Sequence, residues 1–146
     1  MSGIHKNFMI DVHTDNQGLT EITHIVRDRV RSTNALAGLC TVFICHTSAS
    51  LVIQENADTS ARRDLENWIC KLVPESDPLY THTLEGPDDM PAHIKTMLTA
   101  TSLGIPVKDG DLLLGIWQGI FLFEHRHGQH NRKIIVHVSG SAAGSE

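Results

Sequence analysis

Cysteine is scarce in this chain, and the three present are an odd number. Cys40 and Cys45 lie five positions apart on one predicted strand, so their side chains face opposite sides and cannot pair with each other. A disulfide-stapled extracellular scaffold is excluded, and all three cysteines read as buried thiols. A catalytic cysteine stays open, with nothing beside any of them to single one out. Basic residues are also in short supply: 12 Lys and Arg against 17 Asp and Glu give a formal net charge of -5. A duplex-nucleic-acid binder would show a clustered basic face. The one basic cluster, Arg126, Arg132 and Lys133 interleaved with His125, His127 and His130, suits a single small anion better. No apolar run is long enough to span a bilayer, the longest being Leu112 to Phe123. The first seven residues lack the apolar core of a secretory signal. A cytoplasmic address is expected, with neither membrane nor nucleic acid as partner.

Several motifs are missing as well. The chain has no His-Glu-x-x-His helix, no Cys-x-x-Cys pair, no glycine-rich phosphate loop and no Gly-x-Ser-x-Gly elbow. A metal or phosphate site must therefore be assembled from distant segments. Internal repeats and low-complexity tracts are absent too.

What is present fits one domain, since 146 residues with 40% hydrophobic and 20% charged side chains are enough for a sizeable core. Alternation from Lys6 to Thr14 predicts a half-buried strand, and Thr20 is a plausible N-cap for a helix with Ile22, Ile25, Val26 and Val30 on one side. Leu39 to Thr47 reads as a strand buried on both faces, followed by a short run from Leu51 to Gln54. Asp58 is placed to cap a second helix whose inner face carries Ala61, Leu65, Trp68, Ile69 and Leu72. A loop from Glu75 to Pro87 precedes a third helix starting near Asp88-Asp89, with an inner stripe of Met90, Ile94, Met97 and Leu98. Asp109-Gly110 favours a type I′ hairpin turn. Leu112 to Arg126 reads as one long strand, and Ile134 to Val138 as its antiparallel neighbour. The tail from Ser139 to Glu146 reads as a loose terminus. The order of elements indicates α+β, mostly antiparallel sheets covered by about three helices.

Ten histidines raise the question of metal, because neutral imidazole is the commonest protein ligand for zinc and its neighbours. His5, His13, His24 and His130 read as surface residues. His46 closes an apolar strand, His82 lies in a loop, and His93 borders the third helix's buried face. Pattern alone leaves these three as boundary histidines or ligands. On the predicted long strand, Gln118, Glu124 and Arg126 share an aliphatic face and need partners if buried. Glu124 and Arg126 are spaced to pair with each other in part, so a salt bridge and a ligand-binding role stand side by side. Ser48, Ser50, Asn56 and Asp58 offer hydroxyls and an amide beside a helix start that favours anions, with simple helix capping as the alternative.

His46-Thr47-Ser48-Ala49-Ser50, Glu55-Asn56-Ala57-Asp58, Arg63-Asp64-Leu65, Tyr80-Thr81-His82, Glu85 to Lys95 and Leu114 to Ile120 together resemble the signature segments of the YjbQ-like family, also called the secondary thiamine-phosphate synthase family. The likeness covers essentially the whole chain, from the first strand to Gly140. The resemblance implies a compact α+β fold, a homotrimer with sites near the subunit boundaries, and a divalent metal, zinc first, on His46, His82 and His93. It also implies a weak thiamine-phosphate synthase activity, joining a pyrimidine methyl diphosphate to a thiazole phosphate with release of diphosphate. Arg126 and Glu124 are then the catalytic candidates, Arg126 to neutralise the leaving group and Glu124 to act as base or to orient a ligand. Ser48, Ser50, Asn56, Asp58 and Gln118 are the substrate-binding candidates. Two other readings use the same parts: metal-assisted hydrolysis of a phosphoester, and a non-catalytic trimeric binding module. Asp89 stands where many relatives carry Asn, and the turn from His127 to Asn131 is unusually rich in His. Both departures are expected to leave the proposed ligands untouched.

Overall fold

Period-2 burial runs through the first strand of the computed structural model, which describes residues 3–142. In β1 (Gly3–Thr14), Ile4, Ile10 and Val12 point inward while Met9, Asp11 and His13 point out. The chain continues through β2 (Gly18–Glu21), α1 (Thr23–Ser32), β3 (Ala35–Ile44), β4 (Ala49–Glu55), α2 (Thr59–Leu72) and α3 (Asp89–Leu98). It ends with β5 (Ser102–Lys108), β6 (Asp111–Leu112), β7 (Gln118–Glu124) and β8 (His130–Ala142). All pairings are antiparallel and form two sheets, ordered β1-β8-β3-β5-β6 and β2-β7-β4. With its three helices the chain is a single α+β domain, as the element order implied.

The main core lies between the larger sheet and a cover made of α1 and the smaller sheet: Val26, Val30, Leu51, Ile120 and Leu122 meet Val42, Ile134 and Val136. A second cluster, Leu19, Ile69, Phe121 and Phe123, sits under α2 on the other side of the smaller sheet. β7 is therefore sandwiched. Ile120 and Leu122 face one core, Phe121 and Phe123 the other, so the strand is buried on both sides.

Several expectations are corrected. Thr20 is not a helix cap; it pairs with Leu122 in β2, and α1 begins at Thr23. β3 ends at Ile44 and alternates, with Leu39 and Phe43 facing outward. The long strand from Leu112 to Arg126 is broken at Leu113–Trp117, and its halves belong to different sheets. β8 consequently pairs with β1 and β3 rather than with β7. Ser139–Ala142 belong to β8 and are not a loose tail, while 143–146 lie outside the described residues. Cys40 is buried, but Cys45 and Cys70 are exposed. Trp68 and Leu72 of α2 point outward, leaving Ile69 as its buried side chain.

α3 departs furthest from its predicted orientation. It buries Asp89, Pro91, Ala92 and Lys95, while Met97 and Leu98 are exposed. A helix turns inward the side that finds partners, and here Asp89 finds Arg126 and His82 outside the helix. The Asp109-Gly110 turn forms as expected, with φ of 51° and 78° at its two central residues joining β5 to β6. Gly38 and Gly140 face each other across β3 and β8, where a Cβ on either would lie 2.1 or 2.2 Å from a backbone oxygen. Among the described residues no helix is long and apolar enough to cross a membrane.

Candidate active site

The end of β7 sends three successive side chains in three directions, as strand geometry followed by a turn requires. Glu124 continues the face of Ile120 and Leu122 into the main core at 1% exposure. Its Oε1 accepts from Thr14 Oγ1 (2.6 Å) and Arg132 Nε (2.7 Å). Its Oε2 accepts from Arg132 Nη2 and from the backbone N–H groups of His125 and Arg126. Burial alone would raise this carboxyl, but hydrogen bonds from Arg132 and Thr14 outweigh it and hold it below the usual range. The expected pairing of Glu124 with the Arg126 side chain is corrected: the guanidinium on Glu124 is that of Arg132, across the main core.

Arg126 reaches instead to the start of α3. Nε donates to Asp88 Oδ2 (3.2 Å), Nη1 to Asp89 Oδ1 (3.0 Å) and Nη2 to the Glu85 carbonyl (2.8 Å). Asp88 does not cap α3 with its side chain; besides Arg126 it accepts from the His127 backbone N–H at 2.8 Å. Asp89, 2% exposed, is the centre of the arrangement. Its Oδ2 lies 2.6 Å from His82 Nε2 and 3.2 Å from His93 Nε2. The three ligand-type atoms of His82, Asp89 and His93 lie within 4.8 Å of one another. The departure at Asp89, expected to leave the ligands untouched, touches two of them.

The orientation of His93 says what such a cluster requires. Its Nδ1 sits 3.0 Å from the Thr47 carbonyl oxygen. A carbonyl only accepts, so Nδ1 carries a hydrogen and Nε2 meets Asp89 either as an imidazolium donor or as a lone pair. A lone pair facing a carboxylate at that distance is repulsive unless a cation lies between them. Burial alone would raise the Asp89 carboxyl; the His82 hydrogen bond and the charges of His93 and Arg126 outweigh it and hold it low. Asp88 is likewise held low, burial being outweighed by the His127 N–H and Arg126. Two carboxylates thus share one guanidinium, Arg126, with the imidazoles of His82 and His93 as their remaining partners. A cavity of about 290 Å³ adjoins the cluster, lined by Tyr80, His82, Gly86 and Met90 among others.

His125 turns to the opposite face of β7. It is 1% exposed, with Nε2 2.8 Å from Ser50 Oγ. Burial, then the charge of Lys95, pushes its pKa down to about 3. Since the unfolded chain would protonate this group near pH 6.5, the stability it contributes is full above that value and is lost as pH falls toward 3. Urea midpoints are expected to fall between pH 6 and pH 4.5, with this group contributing about 1.4 kcal/mol per pH unit. His125→Gln is expected to flatten that slope; an unchanged slope in the variant would show that other groups carry it.

The remaining candidates divide between the two ends of β7, roughly 20 Å apart. Ser48 and Ser50 are at the Glu124 end: the Ser48 carbonyl accepts from the His125 N–H (3.3 Å), and Ser50 is fully buried. Asn56 and Gln118 are at the other end, where they line a cavity of about 540 Å³ with Glu21, Thr23 and Arg27. That larger cavity contains no ligand-type cluster of the kind His82, Asp89 and His93 form. Gln118 accepts from the Gly115 N–H at 2.7 Å and so organises the loop before it. Asp58 caps α2, accepting from Ser60 N and Oγ at 2.8 and 2.7 Å. His46 stands apart from His82 and His93; its Nε2 accepts the Lys133 backbone N–H at 2.9 Å, extending the β3–β8 ladder. Sequence reasoning missed Asp89 as the link and Arg132 as the partner of Glu124. The i,i+4 spacing of Asp89 and His93 on a predicted helix was the signal available for the first.

The fold and site define a small two-sheet α+β protein with a histidine–carboxylate centre where a loop meets a helix start. The chain belongs to the UPF0047 protein YjbQ-like family, whose profile matches residues 8–141. A UPF0047 protein of Synechocystis sp. is 48% identical over 136 residues, covering 93% of this chain and 92% of that protein. YjbQ of Salmonella typhimurium is 44% identical over 124 residues, covering 80% and 88%. Among solved structures, a YjbQ/UPF0047 family protein of Clostridium acetobutylicum superposes with a TM-score of 0.83 at 33% identity, covering 90% of this chain and 98% of that one.

Proposed function

We propose that this protein is a metal-dependent enzyme acting on a phosphorylated small molecule, with a divalent ion, zinc first, held by His82, Asp89 and His93. The observation that carries the reading is the His93 ring, whose Nδ1 is committed to the Thr47 carbonyl so that Nε2 is turned toward Asp89 and His82. A backbone carbonyl fixing the tautomer of a ligating histidine is a recurrent support of metal sites. Two imidazoles and one carboxylate form a zinc-type donor set that leaves a further position open. When bound, such an ion supplies Lewis-acid stabilisation of charge on a phosphate or diphosphate oxygen.

The protein's own groups then have distinct tasks. Arg126 orients Asp89 through Nη1, and the second N–H of Nη1 is left to meet a ligand oxygen. Glu124 does not serve as base in this reading; buried and ion-paired, it fixes the backbone of Arg126. His46, outside the ligand set, braces the β3–β8 edge. A homotrimer belongs to the proposal, supported by the exposed apolar side chains Met9, Leu39 and Phe43 on the outer face of the larger sheet.

Thiamine-phosphate synthesis is the specific reaction proposed, because departure of diphosphate from a pyrimidine methylene is assisted by charge neutralisation of this kind. Zinc-loaded protein supplied with pyrimidine methyl diphosphate and thiazole phosphate is expected to release diphosphate and thiamine phosphate only when both are present. Diphosphate release without the acceptor would replace the transferase by a hydrolase. No turnover of either substrate, nor of a panel of phosphorylated metabolites, would leave a binding module.

A further inference from the structure

Two buried polar groups outside the His82–Asp89–His93 centre have no matched partner. Lys95 is on α3, two residues beyond His93 and so about 200° around the helix from it. It is 3% exposed, its Nζ donates to Cys70 Sγ at 3.5 Å, and no ion pair among the described residues includes it. His125 is 1% exposed, and its Nδ1 has no hydrogen-bond partner. Both side chains line one cavity of about 260 Å³.

The acids that also line this cavity do not form an ion pair with Lys95. Glu124 is occupied by Arg132 and Thr14, and Glu66 turns Oε2 to the Leu19 N–H at 2.8 Å. A buried ammonium whose nearest acceptor is a thiol costs several kcal/mol unless an anion joins it. The hydrogen-bond chain behind His125 sets the role of Nδ1 toward the same space. Thr99 Oγ1 gives its one hydrogen to the Lys95 carbonyl at 2.8 Å, so the 2.6 Å contact between Thr99 and Ser50 takes the Ser50 hydrogen, the imidazole donates to Ser50 through Nε2, and Nδ1 is left as an unpartnered acceptor.

We propose that this cavity is a second binding site, separate from the histidine–aspartate centre, for a small oxyanion of the phosphate class held by the Lys95 ammonium, with His125 Nδ1 accepting the hydrogen of its P–O–H group. The anion replaces Cys70 as the acceptor for Lys95 and lies against the sulfur. An ammonium donor and an imidazole acceptor lining one cavity suit a tetrahedral oxyanion that carries both acceptor oxygens and a hydroxyl. The site stands whether or not a metal binds at His82, Asp89 and His93.

Cys70 is a natural reporter, being exposed and in contact with Lys95. Exposed Cys45 serves as the internal control, and buried Cys40, its thiol pushed up to about 12 by burial, stays silent. The full chain is treated with N-ethylmaleimide in inorganic phosphate, in glycerol phosphate, or in sodium chloride of matched ionic strength, and each cysteine is followed by peptide mass spectrometry. Phosphate at about ten times its half-protecting concentration is expected to slow Cys70 modification about tenfold while leaving Cys45 unchanged. Protection by inorganic phosphate alone identifies a free-anion site; protection by glycerol phosphate as well identifies a site for the phosphoryl end of a metabolite. Lys95→Met and His125→Gln are each expected to abolish or sharply weaken protection, and His93→Ala to retain it. Equal protection by chloride, no protection by either phosphate, full protection in whichever of the two pocket variants folds, or its loss in His93→Ala would each overturn the proposal.

Discussion

His93→Ala, His82→Ala and Asp89→Ala are each expected to strip the proposed divalent ion from the purified protein, while His46→Ala retains it. The expected loss of zinc affinity exceeds the roughly 10–100-fold that changes in supporting residues cost, because each variant removes one of three protein ligands. Elemental analysis after dialysis reads the result directly, and zinc-dependent thermal stabilisation reads it independently, since an ion that binds only the folded state raises stability by mass action. Full retention in all three variants, or loss confined to His46→Ala, would move the ion elsewhere. Asp89→Asn is the informative intermediate: it keeps an oxygen ligand and the Arg126 contact but removes the charge, so weaker binding with intact folding is expected.

Arg132→Met is expected to be the most damaging single change to stability, costing about 3–5 kcal/mol. It leaves Glu124, 1% exposed, as a buried carboxylate with Thr14 and two backbone N–H groups as its remaining donors. In a domain of this size that loss lowers the melting temperature by on the order of 10 °C. The double variant Glu124→Gln/Arg132→Met is expected to recover much of the loss, because the neutral amide keeps an acceptor for those N–H groups. The pH dependence supplies a second check. In the native protein Glu124 is held low, so its contribution is present above the unfolded carboxyl value and lost as pH falls through the folded one. In Arg132→Met that acid-side loss should shrink. A melting temperature unchanged in the single variant would show that the pair contributes nothing net.

Much of the site was within reach of pattern reading, but not its wiring. His93 stood out because it bordered an apolar stripe and Glu124 because a charge on an aliphatic strand face needs a partner, whereas His82 lay in a loop that pattern could not judge and was joined to His93 by the family resemblance alone. His46 stood out because it closes an apolar strand, and its Nε2 accepts the Lys133 N–H: a strand end presents a polar side chain equally to a ligand or to the neighbouring backbone. Asp58 was ambiguous between cap and anion site, and its two bonds to Ser60 place it as the cap. The inner stripe of α3 was misjudged because hydropathy assumes an apolar partner. The surface it meets carries Arg126 and the His125–Ser50 pair, so the polar side of the helix turned inward.

Composition, periodicity and spacing by themselves determined the single α+β domain, the helix count, the Asp109-Gly110 hairpin and which residue types were available for chemistry. These follow from local forces: turn residues needing positive φ, periods of 2 and 3.6, and enough apolar surface for one core. Only the tertiary structure decided that Leu112 and Gln118 belong to different sheets, that Glu124 pairs with Arg132, that Asp89 joins His82 to His93, and that Lys95 is buried beside His125. Each of these links residues distant along the chain, and which pair meets is decided by how two sheets pack face to face. A strand that leaves one sheet for the other carries no local mark of where its charges will land.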